Sequence, residues 1–264
     1  MTAASAQQVA LAFLGASRGR ALSAPTLVAG ADILGVTGNA TRLALSRLRA
    51  KGEIQQVARG RYALSAMRQN AIAHVRTFKS GFAARVPWKG GFLGVLTADL
   101  SRGNSALVAR RERALDLSGF REFRHAVWVR PDNLAGGRVV VATHLRRLGL
   151  DEGADILELK LDAGQVTTLE PKWNVTEDQA RADALADRVH RFLARGTKVS
   201  RRVAAAESFW LGDEVLRFLA RDPLLPESMA DPQPRARLAE AMATLDEQGF
   251  ALWSSILEEL ERTT

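Results

Sequence analysis

The sequence predicts an α+β chain, helical at both ends with strands concentrated in the middle. Three observations predict it. From Gly38 to Leu64 a basic helical stretch ends at Gly52 and gives way to two short strands joined through Arg59-Gly60-Arg61. From about 85 to 168, alternating apolar and polar runs are interleaved with helix-like ones. Beyond about 170 the apolar residues recur at helical spacing. At 264 residues, 47% of them hydrophobic, the chain is long enough for two or three domains with real cores.

The expected boundaries are 1–65, a connecting helix over 66–84, 85–168 and 169–264. In the first segment Val9, Leu11, Phe13 and Leu14 give a helix one apolar face, and Gly15 with Gly19 stops it. Ser23 as N-cap and Pro25 in the first turn open a second helix that runs to Leu34. Gly35-Val-Thr-Gly38 is a turn, after which Thr37 or Asn39 caps a third helix. On that helix Leu43, Leu45 and Leu48 are expected to face the core, leaving Asn39, Thr41, Arg42, Ser46 and Arg49 outside. Helix, turn, helix and strand pair follow one another as a winged helix-turn-helix requires: one helix for the major groove, then a hairpin carrying cations to phosphates.

The charge pattern agrees with that expectation. Between Gly38 and Leu64 the cations are Arg42, Arg47, Arg49, Lys51, Arg59 and Arg61, and the acid is Glu53. The whole chain carries a formal charge of +8, which favours a polyanionic partner. A solvated basic helix on an unrelated small domain is the plainer alternative. Asn39, Thr41, Arg42, Ser46, Arg47, Arg49, Lys51, Arg59 and Arg61 are the candidate DNA contacts.

In the middle segment Trp88 to Thr97 reads as a buried strand, Asn104 to Leu117 as an arginine-rich helix, and Phe120 to Pro131 as a second strand. Val139 to Leu148 reads as a helix and Ala154 to Asp162 as a strand, an order that suits a ferredoxin-like α+β sandwich. In the last segment Thr176-Glu-Asp-Gln179 is a capping box for a helix to about Arg195. A helix over Arg201–Leu219 follows, broken by Arg221-Asp-Pro-Leu-Leu-Pro226, then a pair over Pro234–Gln248 and Phe250–Arg262. The tail Leu257-Glu-Glu-Leu-Glu261 is acidic, so the two ends of the chain are expected to have different tasks.

Four blocks, in order, resemble PaaX-type transcriptional repressors, which regulate phenylacetic acid catabolism genes. They are Arg42-Leu-Ala-Leu-Ser-Arg-Leu-Arg-Ala-Lys-Gly52, Trp88-Lys-Gly-Gly-Phe92, Gly119-Phe120 with Val127-Trp-Val-Arg-Pro131-Asp-Asn-Leu134, and Arg221-Asp-Pro-Leu-Leu-Pro226. The resemblance implies an N-terminal winged helix-turn-helix, a Cas2-like ferredoxin-fold middle domain that helps dimerise, and an all-α C-terminal domain. It further implies a homodimer on a pseudo-palindromic double-stranded operator, released by an aryl-acyl-coenzyme A such as phenylacetyl-CoA. Arg110, Arg111, Arg113 and Arg130 are candidates for the effector's phosphates. Trp128 and Trp210, with Trp88, Phe92, Trp173 and Phe209, are candidates for its acyl pocket.

The same sequence bears on other functional classes. The absence of cysteine excludes disulfides, thiolate metal sites and a cysteine nucleophile, and fits a reducing compartment. No basic region precedes the apolar N-terminal run and no apolar run nears the ~18 residues of a membrane span, so a cytoplasmic protein without membrane contact is expected. His74, His125, His144 and His190 are widely spaced, and no Gly-x-Ser-x-Gly, P-loop or dinucleotide fingerprint is present. No catalytic residue, metal site or cofactor is expected. Asp99, after the first middle-domain strand, leaves open a Cas2-like metal-dependent nuclease. A protein-binding adaptor with secondary DNA contact is the other alternative.

Overall fold

A computed structural model describes residues 5–17, 19–66, 83–101, 103–195 and 199–263. Most of the segment expected as a connecting helix, 67–82, lies outside the described residues. The chain is α+β with two antiparallel sheets. It forms two compact units: Met1–Arg76 with Val189–Asp213 and Ala241–Thr264, and Thr77–Arg188 with Glu214–Glu240. The stretch 169–264, read from the sequence as a helical domain, is thereby parted between the two.

In the first unit, helix α1 (Ala6–Ala16) starts at Ser5, whose side chain and that of Gln8 cap each other's backbone N–H groups. Strand β1 (Leu22–Ser23) leads into α2 (Ala24–Ile33), capped by the Ser23 hydroxyl, which accepts from the Thr26 N–H, with Pro25 in the first turn. A turn with Gly35 at φ 76° precedes α3 (Gly38–Ala50), capped by Thr37. Strands β2 (Ile54–Ala58) and β3 (Arg61–Leu64) complete a sheet of order β1-β3-β2. Arg59 and Gly60 form the hairpin turn, Gly60 at φ 69°, a conformation favourable to glycine. The core gathers Phe13, Leu27, Leu45, Leu48, Ile54 and Leu64, joined by Trp253, Ile256 and Leu257 from the end of the chain.

Two orientations on α3 differ from the expected ones. Leu43 is 50% exposed, and Thr41 is buried at 1% exposure. The buried set is Thr41, Ala44, Leu45 and Leu48. These sit at i, i+3, i+4 and i+7, one stripe of a 3.6-residue period, and Leu43 falls outside it. Thr41 tolerates burial because its hydroxyl donates to the Thr37 carbonyl at 3.1 Å.

The second unit contains β4 (Gly91–Leu96), α4 (Ser105–Leu117), β5 (Arg121–Arg124), β6 (Val127–Pro131), α5 (Gly137–Leu148) and β7 (Asp155–Lys160). The sheet order is β5-β6-β4-β7, every neighbour antiparallel. Leu93 and Val95 pack with Leu115, Phe120, Val141 and Leu145, while Phe92 and Val129 pack with Leu169, Trp173 and Leu225. Alternation along the strands thus supplies a core on each face. The single strand expected over 120–131 is a hairpin. It turns at His125-Ala126, where Ala126 takes φ 61° and its N–H donates to Glu122 Oε1 at 2.9 Å. No glycine marks that turn, so the residues read as one alternating run.

Short helix α6 (Ala163–Leu169) and a 3₁₀ turn (Glu170–Trp173) lead to α7 (Val175–Ala194), α8 (Arg201–Leu219) and α9 (Gln233–Thr263). The expected box at Thr176 lies inside α7; the helix begins one residue earlier, after left-handed Asn174. The expected final pair of helices is one continuous helix of 31 residues. A single glycine, Gly249, costs a helix only about 1 kcal/mol, and the flanking Leu245 and Trp253 are buried. The break read from Gly249 therefore does not occur.

Candidate nucleic-acid interface

The outward face of α3 follows from the stripe just described. With Thr41, Ala44, Leu45 and Leu48 inside, Asn39, Arg42, Leu43, Ser46, Arg47, Arg49 and Lys51 are all exposed. Gly38–Ala50 contains no acidic side chain, so nothing on the helix itself neutralises its arginines. Arg47 and Arg49 lie in the last turn, where the helix dipole favours cations. At the start of the helix, a Cβ on Gly38 would stand 2.9 Å from Val28 Cγ1, so glycine permits the close approach of α3 to α2. Such a surface can neutralise phosphates and offer hydrogen-bonding groups to base edges.

The hairpin beside it is tied to α3 by Arg49 Nη1, which donates to Gln56 Oε1 on β2 at 2.7 Å. Gln55 to Arg59 are all exposed, and Arg59 occupies the turn. Arg61, also expected to meet phosphate, is engaged within its own unit. Its guanidinium donates to Glu261 Oε1 at 2.6 Å and to the Ala21 carbonyl at 2.8 Å. Glu261 also accepts from the Ser23 N–H at 3.2 Å and from the Thr26 hydroxyl at 2.5 Å. Burial works to raise the Glu261 pKa, but the donors Thr26, Ser23 and Arg61 outweigh it and hold the carboxyl below its ordinary 4.5. Arg61 and Glu261 thus brace the root of the hairpin and the start of α2.

Of the nine residues expected to meet DNA, eight are exposed, and seven of those lack the Arg61 brace: Asn39, Arg42, Ser46, Arg47, Arg49, Lys51 and Arg59. Thr41 is corrected outright, since a buried hydroxyl bonded within its own helix cannot reach a base. Two residues escaped the sequence reading. Leu43 was detectable from helical periodicity, which conflicts with burying 43, 45 and 48 together. Glu261 had no local signal, because its partners lie 200 or more positions back.

The residues expected to hold an effector have different surroundings, each within its own unit. Arg110 and Arg113 are exposed on α4. Arg111 is buried at 3% exposure in a two-pronged pair with Asp151, Nε to Oδ2 at 2.7 Å and Nη2 to Oδ1 at 3.1 Å. Arg130 is fully buried. It donates to the carbonyls of Ser118 at 2.6 Å, Pro131 at 3.1 Å and Pro223 at 3.3 Å, and to Asn133 Oδ1 at 3.2 Å. Burial pushes its pKa down to about 9, so it stays charged at neutral pH. Trp128 packs against the core of the second unit and Trp210 against that of the first.

The buried Arg130 cluster also explains the sequence blocks around it. Asn133 Nδ2 donates to the Leu224 carbonyl at 2.8 Å, and Trp173 Nε1 to that of Gly119 at 2.9 Å. Gly119, at φ 79°, passes so close to Pro223 that a Cβ would stand 2.7 Å from its carbonyl oxygen. Gly119-Phe120, Val127 to Leu134 and Arg221 to Pro226 therefore meet in one buried network that holds the second unit together. Asp99 is exposed in the turn after β4, and no group of three metal-binding side chains occurs among the described residues. Among those residues, too, no helix is long and apolar enough to cross a membrane.

No protein-family model matches the chain, and no curated protein matches it. Among solved structures it is similar to the uncharacterized protein Rv0674 from Mycobacterium tuberculosis, with a TM-score of 0.61 and 19% sequence identity. The match covers 96% of this chain and 98% of that one, so the two share a fold over nearly their whole length.

Proposed function

We propose that the chain is a sequence-specific regulator that binds double-stranded DNA through α3 and the β2–β3 hairpin. The first unit is then a winged helix-turn-helix, a reading supported by its order α1-β1-α2-α3-β2-β3 and the sheet order β1-β3-β2. The observation that carries the proposal is the acid-free outward face of α3, with Asn39, Arg42, Ser46 and Arg47 exposed and a hairpin bearing Arg59 fastened beside it. A helix of this width fits the major groove, its early residues toward base edges and its later cations toward phosphates. Arg61 supports the hairpin from behind.

The second unit, with its β-α-β-β-α-β order and strand order β5-β6-β4-β7, is read as ferredoxin-like and as the part that helps form a homodimer. A two-fold dimer on a pseudo-palindrome doubles the contacts that one module makes and places half-sites about one helical turn, or a multiple, apart. The resemblance of the four sequence blocks to PaaX-type repressors supports a cytoplasmic repressor of aromatic or phenylacetate-type catabolic genes, released by an aryl-acyl-CoA. For release, the thioester must favour one conformation of the dimer over the other.

The test is a gel-shift titration on the gene's own upstream region, with unrelated competitor DNA, repeated in the presence of phenylacetyl-CoA. Specific binding that the thioester relieves supports regulator and effector together. Specific binding without relief removes the effector only. Binding that unrelated competitor DNA displaces as readily as the unlabelled upstream region does refutes the regulator.

A further inference from the structure

Resting on that reading, we infer that Leu43 is a specificity-determining residue that reads the 5-methyl group of a thymine in the operator. Leu43 is half exposed on a helix whose other exposed residues, apart from Ala50 at its last position, are polar or cationic. It lies one turn from Asn39 on one side and from Ser46 and Arg47 on the other, with Arg42 adjacent in sequence, so it sits in the middle of the outward face. An exposed leucine gains nothing for folding, and alanine is the better helix former at such a position. The surrounding cations favour a polyanion over the apolar face of a protein partner. Within a major groove the one apolar group on the base edges is the thymine methyl. A leucine at the centre of a helix in that groove is placed to contact it, while Asn39, Arg42 and Ser46 take the polar edges.

The same helix geometry sets the expected size of the effect. Replacing thymine by deoxyuridine removes one methyl and leaves every hydrogen-bonding group of the base unchanged. Burying a group of that size is worth ~0.8 kcal/mol, which corresponds to a loss of about fourfold in affinity. Leu43→Ala withdraws the contact from the protein side, and because Leu43 lies outside the buried stripe the variant is expected to fold normally.

The experiment starts by selecting bound sequences from a random duplex pool with the full chain. Each thymine of the selected site is then replaced singly by deoxyuridine, and affinities are measured for wild type and Leu43→Ala. The inference expects at least one thymine per half-site where deoxyuridine weakens wild-type binding about fourfold and leaves Leu43→Ala binding unchanged. Circular dichroism and an unaltered salt slope for Leu43→Ala show that fold and phosphate contacts are intact. A selected site with no thymine that responds to demethylation, or a response of equal size in both proteins, overturns the role of Leu43 and leaves the regulator standing. A pool that yields no selected sequence overturns the regulator and this inference with it.

Discussion

Glu261 offers the sharpest test of how the hairpin is held. Substituting Glu261→Gln keeps the size of the side chain and one acceptor oxygen but removes the charge. Glu261 accepts from the Ser23 N–H, the buried Thr26 hydroxyl and the Arg61 guanidinium. Hydrogen bonds to a charged group contribute about 1.5–3 kcal/mol each against about 0.5–1.5 for neutral ones. Two such bonds lose their charge assistance, which costs about 2 kcal/mol. The Arg61 pair adds little, because the Arg61 side chain is 44% exposed and a solvated pair is worth at most about 1 kcal/mol. The assay is native-state hydrogen exchange of the α2 and β3 amides, which reports on this unit alone.

Glu261→Gln should lower the opening free energy there by about 2 kcal/mol. The pH dependence must agree in sign. The folded pKa lies below the ordinary 4.5, so this stability is present above pH 4.5 and is lost as the pH falls through the folded value. Wild type should therefore converge on the variant in acid. Arg61→Ala, in turn, should loosen β3 and leave the salt dependence of DNA binding unchanged. A Glu261→Gln protein whose exchange matches wild type within about 0.5 kcal/mol would refute the brace. So would an Arg61→Ala protein that keeps its exchange protection and loses a phosphate's worth of salt slope, about 0.9.

Three further outcomes are expected in the second unit. Gly119→Ala must place a Cβ 2.7 Å from the Pro223 carbonyl oxygen at a φ of 79°, and should cost at least about 2 kcal/mol in urea denaturation; a neutral result would mean the loop over 221–226 moves freely. Arg130→Met strips donors from three carbonyls, two of them buried, and from Asn133 and should cost about 3 kcal/mol, with stability equal to wild type as the contrary result. Burial, aided by the charges of Arg130 and Arg147, pushes the His144 imidazole down to about 4 from its ordinary 6.5. Its protonation therefore opposes folding, so stability is full above pH 6.5 and falls toward pH 4. His144→Gln should show a shallower decline over that window, and an identical decline would count against a neutral, half-buried imidazole.

The parts of the fold legible in the sequence were those written in local chemistry. Ser23 with Pro25, Thr37 and Gly60 each marked a cap or turn that the structure uses in that way. What escaped depended on distant partners or on conformations that sequence leaves unmarked. The turn at Ala126 takes a positive φ without a glycine, and Gly249 is carried through a helix by packing on either side. Arg111 and Arg130 looked like surface cations because their acceptors, Asp151 and the Pro223 carbonyl, are 40 and 93 positions away. The basic outward face of α3 was legible because charge and periodicity both lie within 13 residues, and its one misplaced pair, Thr41 and Leu43, came from weighing hydrophobicity above the 3.6-residue period.

The central claim, that α3 and the hairpin turn form a phosphate-neutralising DNA surface, is tested most directly by the salt dependence of affinity. Fluorescence anisotropy with a labelled duplex, from low to physiological salt, should give a log–log slope steeper than about −4, and Arg47→Ala with Lys51→Ala should reduce its magnitude by about 2 per protomer. A slope near zero, or one the double variant leaves unchanged, would contradict the account.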